Sequence, residues 1–202
     1  LGEHGEKTHG FFIYNSTLHI PLIMKLPGGA PRVVEDEVSL IDVMPTLLQA
    51  LKIPAPASIQ GRSLLGLILG RPSGSASNLY AENYLPLLHF RWSQLRGLQS
   101  RGLKFIEAPR PELYDTRSDP NERRNLFSER GAQAQEMRGR LQSLIQRFTP
   151  AAGGARAEKE ATDPALLERL RSLGYVAVSA GTFSEADGGT LPDPKDRIQV
   201  YE

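Results

Sequence analysis

Three side chains near the start of the chain could do acid–base or anion-binding chemistry: His4, Lys7 and His9. They lie within residues 1–10 (LGEHGEKTHG), a polar, glycine-rich stretch that is typical of a loop. A histidine suits proton donation because its unperturbed pKa is about 6.5. Gly10 would let the backbone approach a ligand closely. The alternative for His9 is a loop histidine that only hydrogen-bonds the backbone.

Lys7 and His4 are weaker candidates for a chemical role than His9. Lys7 could bind an anionic oxygen, although a solvated lysine is the more common case. His4 could support a neighbouring metal site without binding the metal itself, and a structural role is favoured. The spacings of His4, His9 and His19 match no common zinc signature, so we exclude a zinc site built from these histidines.

The composition narrows the class of protein. The 202 residues include 24 Lys plus Arg against 23 Asp plus Glu, which gives a net charge of +1. A protein that binds nucleic acid usually has an excess of basic residues, and this sequence has almost none. The sequence has no cysteine, which excludes a disulfide framework, a thiolate zinc site and a cysteine nucleophile in this chain. No apolar run approaches the length of a membrane span. Because the first residue is Leu1 rather than Met, we expect the true N-terminus to be absent.

The first part of the chain predicts α/β structure. Residues 20–26 form an apolar run ended by a Pro-Gly-Gly turn, which predicts a strand buried on both faces. Asp42 is a candidate cap for a helix with Pro45 in its first turn. This helix has one apolar face, made of Val43, Met44, Leu47, Leu48 and Leu51. A short helix is predicted around residues 64–69.

The second part of the chain predicts an antiparallel sheet. Short strand signals at residues 79–82, 95–99, 103–107 and 112–115 are separated by turns, and residues 100–102 indicate a tight hairpin. A helix over residues 132–148 carries an apolar stripe that should cover this sheet; the stripe consists of Met137, Leu141, Leu144, Ile145 and Phe148. We interpret Tyr80 and Tyr114 as core residues. Trp92 should be packed, with His89 and Arg91 as exposed neighbours.

The last part of the chain gives weaker signals. Residues 151–161 are typical of a linker, and Asp163, Pro164 and Gly174 mark the cap, first position and stop of a second short helix. The remainder is rich in glycine and proline and predicts little order. We therefore divide the chain into an α/β segment (1–78), an antiparallel sheet plus helix (79–150), and a linker, short helix and extended tail (151–202).

Five motifs in the same order resemble the sulfatase family, part of the alkaline phosphatase superfamily. The first is the loop of residues 1–10, which resembles the family's active-site loop. The others are residues 14–23 (YNSTLHIPLI), 42–48 (DVMPTLL), 60–64 (QGRSL) and 112–126, which holds ELYD, DPNE and NL. Asn15 and His19 stand where the family commonly has Glu and Arg. The resemblance implies the C-terminal part of an alkaline-phosphatase-like sandwich, followed by the small antiparallel sheet and its helix.

The resemblance also implies a chemistry for the complete protein. Sulfatases cleave sulfate esters with a formylglycine hydrate, derived from Cys or Ser, and a divalent cation, usually calcium. Both the nucleophile and the main metal ligands would lie upstream of this chain, so the chain by itself should be inactive. His9 stands where family members place a Lys or His that contacts the sulfate or the leaving oxygen. It is therefore the expected catalytic residue, and Lys7 and His9 are the expected substrate-binding residues.

Two further expectations come from the resemblance. Residues 173–175 (LGY) and 191–196 (LPDPKD) are similar to the tail of bacterial sulfatase-like proteins that continue into helical repeats. An extracytoplasmic or periplasmic location is expected on the same ground. We expect a sulfate ester as the substrate, no nucleic acid partner and no membrane span in this chain.

Other functions stay open at this point. A phosphodiesterase or phosphonate hydrolase, or a phosphoethanolamine transferase, of the same superfamily would share the metal-site scaffold. A non-catalytic binding module joined to helical repeats belongs to a different class. The nucleophile motif upstream would separate the enzymes, and an intact cluster of metal-binding aspartates there would argue against the binding module.

Overall fold

A computed structural model of the chain describes residues 2–27, 30–71, 77–149 and 191–201. Their helices are α1 (Asn15–Leu18), α2 (Val43–Ala50), α3 (Leu65–Ile68), α4 (Leu85–Phe90), α5 (Gly131–Phe148) and α6 (Ile198–Tyr201). The strands are β1 (Leu79–Asn83), β2 (Leu95–Ser100), β3 (Leu103–Glu107) and β4 (Glu112–Asp115). The short helix predicted after Asp163 lies outside the described residues. No helix in the described ranges is long and apolar enough to cross a lipid bilayer.

The four strands form one antiparallel sheet in the order β1-β2-β3-β4, which confirms the prediction for residues 79–115. Ser100 pairs with Leu103 at the end of the β2–β3 hairpin. Arg101 and Gly102 connect the two strands with φ values of 56° and 80°. A two-residue type I′ turn requires positive φ at both positions, so the predicted tight hairpin is confirmed.

One face of the sheet packs against α5, as predicted. The cluster between them consists of Leu98, Phe105, Leu113, Leu126, Ala134, Met137 and Leu141. Burying a large apolar side chain contributes about 1.5–3 kcal/mol, so this cluster is a main source of stability for the sheet. Phe148, the last member of the predicted stripe, lies at the end of α5 and is about half exposed.

The opposite face of the sheet is covered as well. Residues 11–14, which follow the polar loop, are buried against it together with Ile198 of α6. The sheet contributes Leu95, Ile106 and Tyr114 to this second cluster. Gly97 leaves room for the approach, because a Cβ atom there would lie 3.0 Å from Cδ1 of Ile13. The sheet is therefore a middle layer between α5 and the segments that contain residues 11–14 and 191–201.

The prediction of little order is wrong for residues 191–201. Ile198 is 1% exposed within the second cluster. The carboxylate of Asp193 accepts a hydrogen bond from the Lys195 N–H, which starts a short 3₁₀ turn at Pro194. Turn and proline signals cannot distinguish a free tail from one in which an apolar side chain such as Ile198 is inserted between larger elements.

Helix α2 begins where the sequence predicts, but Asp42 does not cap it as expected. Its carboxylate accepts hydrogen bonds from the Ser39 N–H at 3.0 Å and the Arg62 N–H at 2.9 Å, so it joins two loops. The Thr46 hydroxyl donates to the Asp42 carbonyl oxygen and accepts from the Leu64 N–H at 2.8 Å. Helix α3 is thereby attached to α2.

The predicted strand at residues 20–26 is wrong for this chain. These residues form no helix or strand and pair with none of the four described strands, and Ile23 is 90% exposed. The predicted apolar face of α2 is also largely exposed, with Met44 at 60% and Leu51 at 67%. A strand buried on both faces needs neighbouring strands, and the described residues do not provide them.

Candidate functional site

The polar loop of residues 2–10 is held at its base by Glu6. This carboxylate is only 4% exposed, and it accepts hydrogen bonds from the Phe11 N–H at 2.8 Å and the Phe12 N–H at 3.3 Å. A buried ionised or polar oxygen of this kind needs such donors. Glu6 is not among the residues predicted from the sequence. The one available signal was an acidic residue shortly before an apolar run, which does not show what the carboxylate binds.

The far end of the loop is held by Asn83, the last residue of β1. Its side-chain amide donates to the carbonyl oxygens of Gly10 and Phe11. Asn83 also accepts from the Leu85 N–H at the start of α4. The sheet therefore fixes the loop at the point where it enters the core.

Lys7 and His9 lie between these two anchors, and both are exposed. Both expected site residues thus lie in the second half of the loop, between Glu6 and the Gly10 carbonyl oxygen that Asn83 binds. A protonated imidazole and an ammonium on such a loop could face an anionic ligand. Their roles in catalysis and substrate binding stay predictions.

His4 has a packing role in the same loop. Its ring stacks on Tyr14 with the centroids 3.6 Å apart and an interplanar angle of 13°. Nε2 lies 3.2 Å from the Asn121 carbonyl oxygen. His4 connects the loop both to the core and to the turn after β4, in agreement with the favoured structural role. His19, the third histidine of the segment, is exposed.

Tyr14 takes part in a buried polar cluster around Glu112. The Tyr14 hydroxyl lies 3.1 and 3.0 Å from the two carboxylate oxygens, and the Tyr114 hydroxyl donates to Oε1 at 3.0 Å. Lys195 Nζ lies 3.3 Å from Oε2. Burial, followed by the nearby negative charge of Glu112, raises the pKa of both tyrosines. Both phenols therefore stay protonated as donors at neutral pH.

A second buried polar cluster, separate from that around Glu112, joins Lys104 of β3 to the start of α1. Lys104 Nζ lies 2.7 Å from Glu122 Oε1 and donates to Asn15 Oδ1 at 3.0 Å. The Asn15 N–H donates to the other Glu122 oxygen at 2.5 Å. Burial lowers the pKa of Lys104, and the Glu122 charge opposes this shift. Asn15, which stands where the family commonly has Glu, thus contacts both members of the buried Lys104–Glu122 ion pair.

The remaining aromatic predictions have mixed outcomes. Trp92 packs on Phe90 with ring centroids 4.7 Å apart beside the second core cluster. His89 and Arg91 are exposed, as predicted. Tyr114 is a core residue, but the prediction for Tyr80 is wrong, because this ring is 38% exposed at the edge of the sheet and donates to Glu82. β1 is an edge strand of the described sheet, so Tyr80 has a neighbouring strand on one side only.

No divalent cation site is built from the described residues alone. They contain no group of three His, Asp or Glu side chains that could hold a metal ion. The buried carboxylates of Glu6, Glu112 and Glu122 are each satisfied by protein donors or by a lysine.

Several known proteins with similar sequences are sulfatases. Arylsulfatase K of Canis lupus familiaris is 31% identical over 150 residues, which cover 66% of this chain and 27% of the relative. A protein described as uncharacterized sulfatase YidJ of Escherichia coli (strain K12) is 30% identical over 129 residues, covering 64% of this chain and 26% of the relative. The chain thus spans about a quarter of the length of the curated relatives that it matches.

The fold also has solved counterparts. The phosphonate monoester hydrolase SpPMH from Silicibacter pomeroyi superposes with a TM-score of 0.52 at 25% sequence identity, covering 68% of this chain and 30% of that chain. The class defined by these similarities is the C-terminal portion of a sulfatase-like hydrolase. Residues 2–149 match the family model described as N-sulphoglucosamine sulphohydrolase, C-terminal, and the chain belongs to that family.

Proposed function

We propose that this chain is the C-terminal portion of an enzyme that hydrolyses sulfate esters. The family match over residues 2–149 is the observation that carries the proposal. The geometry supports it, because the loop of residues 2–10 presents exposed basic side chains from a base fixed by Glu6 and Asn83. A sulfate ester is an anion, and basic side chains on a loop that is anchored by hydrogen bonds suit its recognition.

His9 is the proposed proton donor of the reaction. When the ester S–O bond breaks, the departing alkoxide oxygen needs a proton, and a protonated imidazole can supply it. Lys7 is proposed to contact a sulfuryl oxygen and offset its charge. Glu6 acts indirectly, because it holds the loop that carries both side chains.

The other parts of the catalytic site would lie outside this chain. We propose that a formylglycine, derived from Cys or Ser, is the nucleophile. A divalent cation, with calcium as the proposed metal, would offset charge on the sulfuryl oxygens when bound. From the family resemblance we also propose a bacterial, extracytoplasmic or periplasmic protein that continues into helical repeats.

The exposed apolar surface supports the proposal that this chain is part of a larger enzyme. Large apolar side chains are exposed around residues 18–23 and on α2 and its flanking loops; they include Leu18, Ile20, Ile23, Leu40, Ile41, Met44, Leu51 and Ile53. Exposed apolar surface of this kind is typical of an interaction site in soluble proteins. We propose that the remainder of the catalytic domain covers it.

A phosphonate monoester hydrolase is the second candidate. The structural similarity to SpPMH favours it, because that protein carries this activity in its name and the TM-score exceeds that expected of a chance resemblance. Both reactions break an ester bond at a tetrahedral, anionic centre. The loop of residues 2–10 could therefore have the same role in either reaction.

The complete protein should be purified and assayed with 4-nitrophenyl sulfate and 4-nitrophenyl phenylphosphonate, which share one leaving group. A kcat/KM for the sulfate at least about tenfold above that for the phosphonate is expected, which corresponds to about 1.4 kcal/mol of differential transition-state stabilisation. The reverse order would favour the second candidate. Turnover of neither ester would contradict both and favour a binding module.

A further inference from the structure

The segment of residues 191–201 lies outside the family match and yet is attached to the same domain. Pro192 accepts a hydrogen bond from the Ser93 N–H at 2.9 Å, just before β2. The buried carboxylate of Asp193 accepts from the Arg110 N–H at 3.0 Å, between β3 and β4. Tyr201 contacts Phe11 with ring centroids 4.7 Å apart. The segment thus contacts both the sheet and the residues that follow the polar loop.

Lys195 is the charged centre of this attachment. Its Nζ donates to the Arg110 carbonyl oxygen at 2.7 Å and lies 3.4 Å from Asp193 Oδ2. The same ammonium lies 3.3 Å from Oε2 of Glu112, and the two side chains are only 16% and 10% exposed. Ion pairs with so little solvent contact are coupled far more strongly than those on the surface.

A short path of contacts joins Lys195 to the candidate site. Glu112 receives hydrogen bonds from the Tyr14 hydroxyl, and the Tyr14 ring is the platform on which His4 is stacked. His4 belongs to the same loop as Lys7 and His9. Without the ammonium, Glu112 would be a buried carboxylate that has lost its ion-pair partner, and a new arrangement of Tyr14 would follow.

We propose that residues 191–201 are a strap that holds the loop of residues 2–10 in place, and that Lys195 is its positioning residue, acting through Glu112 and Tyr14. The strap makes no contact with the ester in this proposal. Its effect on turnover rests on the proposed function, whereas its effect on the order of the loop does not.

Hydrogen exchange measured by mass spectrometry on the complete protein tests the strap directly. Lys195→Met should raise the exchange rate of peptides within residues 2–14 by about tenfold, because the anchoring contacts of the loop open more often. Lys195→Arg should restore slow exchange in that region. Asp196→Asn is the matched control: it removes a charge from the same strap, but its ion pair with Arg110 is exposed and should contribute little.

The exchange results distinguish a strap that orders the loop of residues 2–10 from a segment that only packs against its own surroundings. Faster exchange confined to residues 191–201 in Lys195→Met, with residues 2–14 unchanged, would overturn the proposal. An equal effect of Asp196→Asn would overturn the role of Lys195. If Lys195→Met does not accumulate as folded protein, Lys195→Gln keeps a hydrogen-bond donor and should give a smaller change in the same direction.

Kinetics add an independent readout. In Lys195→Met, kcat for a sulfate ester should fall by about tenfold with KM changed less than about threefold, since the strap orders the loop rather than binding substrate. Full activity of Lys195→Met together with fast exchange in residues 2–14 would overturn the link to the site. A complete protein that turns over no ester would contradict the proposed function but leave the exchange result to decide the strap.

Discussion

The ring of His4 lies flat on the ring of Tyr14, with the two centroids 3.6 Å apart. The hydroxyl of the same tyrosine donates to the buried Glu112 carboxylate. Tyr14 therefore supports the loop through the face of its ring and is bonded to the interior through its hydroxyl. This arrangement makes the loop sensitive to changes around Glu112, which it contacts only through Tyr14.

Buried tyrosines should make the protein sensitive to alkaline pH. The pKa values of Tyr14 and Tyr114 are raised above about 10, the value expected in the unfolded chain. Above that pH the unfolded state loses these protons while the folded state keeps them, so the free energy of unfolding falls as pH rises. Each tyrosine contributes a slope of up to about 1.4 kcal/mol per pH unit, measurable by urea denaturation between about pH 9 and 11.

Phenylalanine variants isolate this contribution. Tyr114→Phe keeps the ring but removes the titrating group, so its stability should fall less steeply above about pH 10 than that of the wild type. Lys104 has the opposite effect on the pH dependence of stability. Its pKa is lowered in the folded state, so the folded state releases this proton at a lower pH than the unfolded state, and this contribution to the free energy of unfolding rises with pH. Tyr84→Phe serves as a control at a partly exposed tyrosine whose hydroxyl accepts from Arg96. Identical slopes in wild type and Tyr114→Phe would show that the raised pKa is wrong.

Gly61 should tolerate no side chain. A Cβ atom there would lie 2.0 Å from the Ile41 carbonyl oxygen, which belongs to the backbone and cannot move without displacing Asp42. Gly61→Ala should lower the free energy of unfolding by about 3 kcal/mol or more, near the upper end of overpacking effects. Thermal unfolding of the complete protein would measure the loss.

Gly66, in α3, provides the matched control for this substitution. The nearest atom to its Cβ position is 3.9 Å away, so Gly66→Ala should be neutral or stabilise the protein by about 0.4–1 kcal/mol. Equal melting temperatures for the two alanine variants would contradict the close approach of Gly61 to the Ile41 backbone.

His9→Ala in the complete protein should lower the rate of the chemical step more than it weakens substrate binding. A poor leaving alkoxide needs a proton, whereas a phenolate of low conjugate-acid pKa leaves unaided. The loss in kcat should be about 10²–10⁴-fold for an alkyl sulfate and small for 4-nitrophenyl sulfate.

Both substrate types are needed to interpret the His9 variant. An equal loss on the two esters would indicate sulfate binding rather than proton donation. No loss on either ester would leave His9 as a structural loop residue. His19→Ala is a suitable control, since that histidine is also exposed but lies beyond the loop of residues 2–10.

The isolated 202-residue chain should associate in solution and hydrolyse neither ester. Its exposed apolar side chains, from Ile20 and Ile23 to Met44 and Leu51, would favour contacts between copies. Sedimentation velocity over a range of concentrations would detect this. A monomer with a cooperative transition at high temperature would argue against an incomplete domain, and turnover by the chain alone would argue against a missing nucleophile.

The sequence predicted the parts of the fold that depend on neighbouring residues. The strands and α5 follow from alternation, helical periodicity and the turn at Arg101 and Gly102. Features that depend on distant residues were missed or wrong. The run at residues 20–26 needs other strands to become a strand, and no local rule shows that Glu6 binds backbone N–H groups or that Ile198 enters the core. The same limit applies to the site, where motif order located His9 and Lys7 but not the anchors of their loop.

The connectivity of the sheet has a consequence for how the chain reaches its native state. Every strand pairs with its neighbour along the sequence, so loop closure costs little entropy and the sheet with α5 should assemble early. The bonds from Tyr14 to Glu112 and from Asn15 to Glu122 span 98 and 107 residues and should form late. In a refolding experiment with pulsed exchange labelling, the Phe105 amide should gain protection before the Phe11 amide, and the reverse order would contradict this sequence of events. The loop that carries the proposed chemistry would then be the last region of the domain to mature.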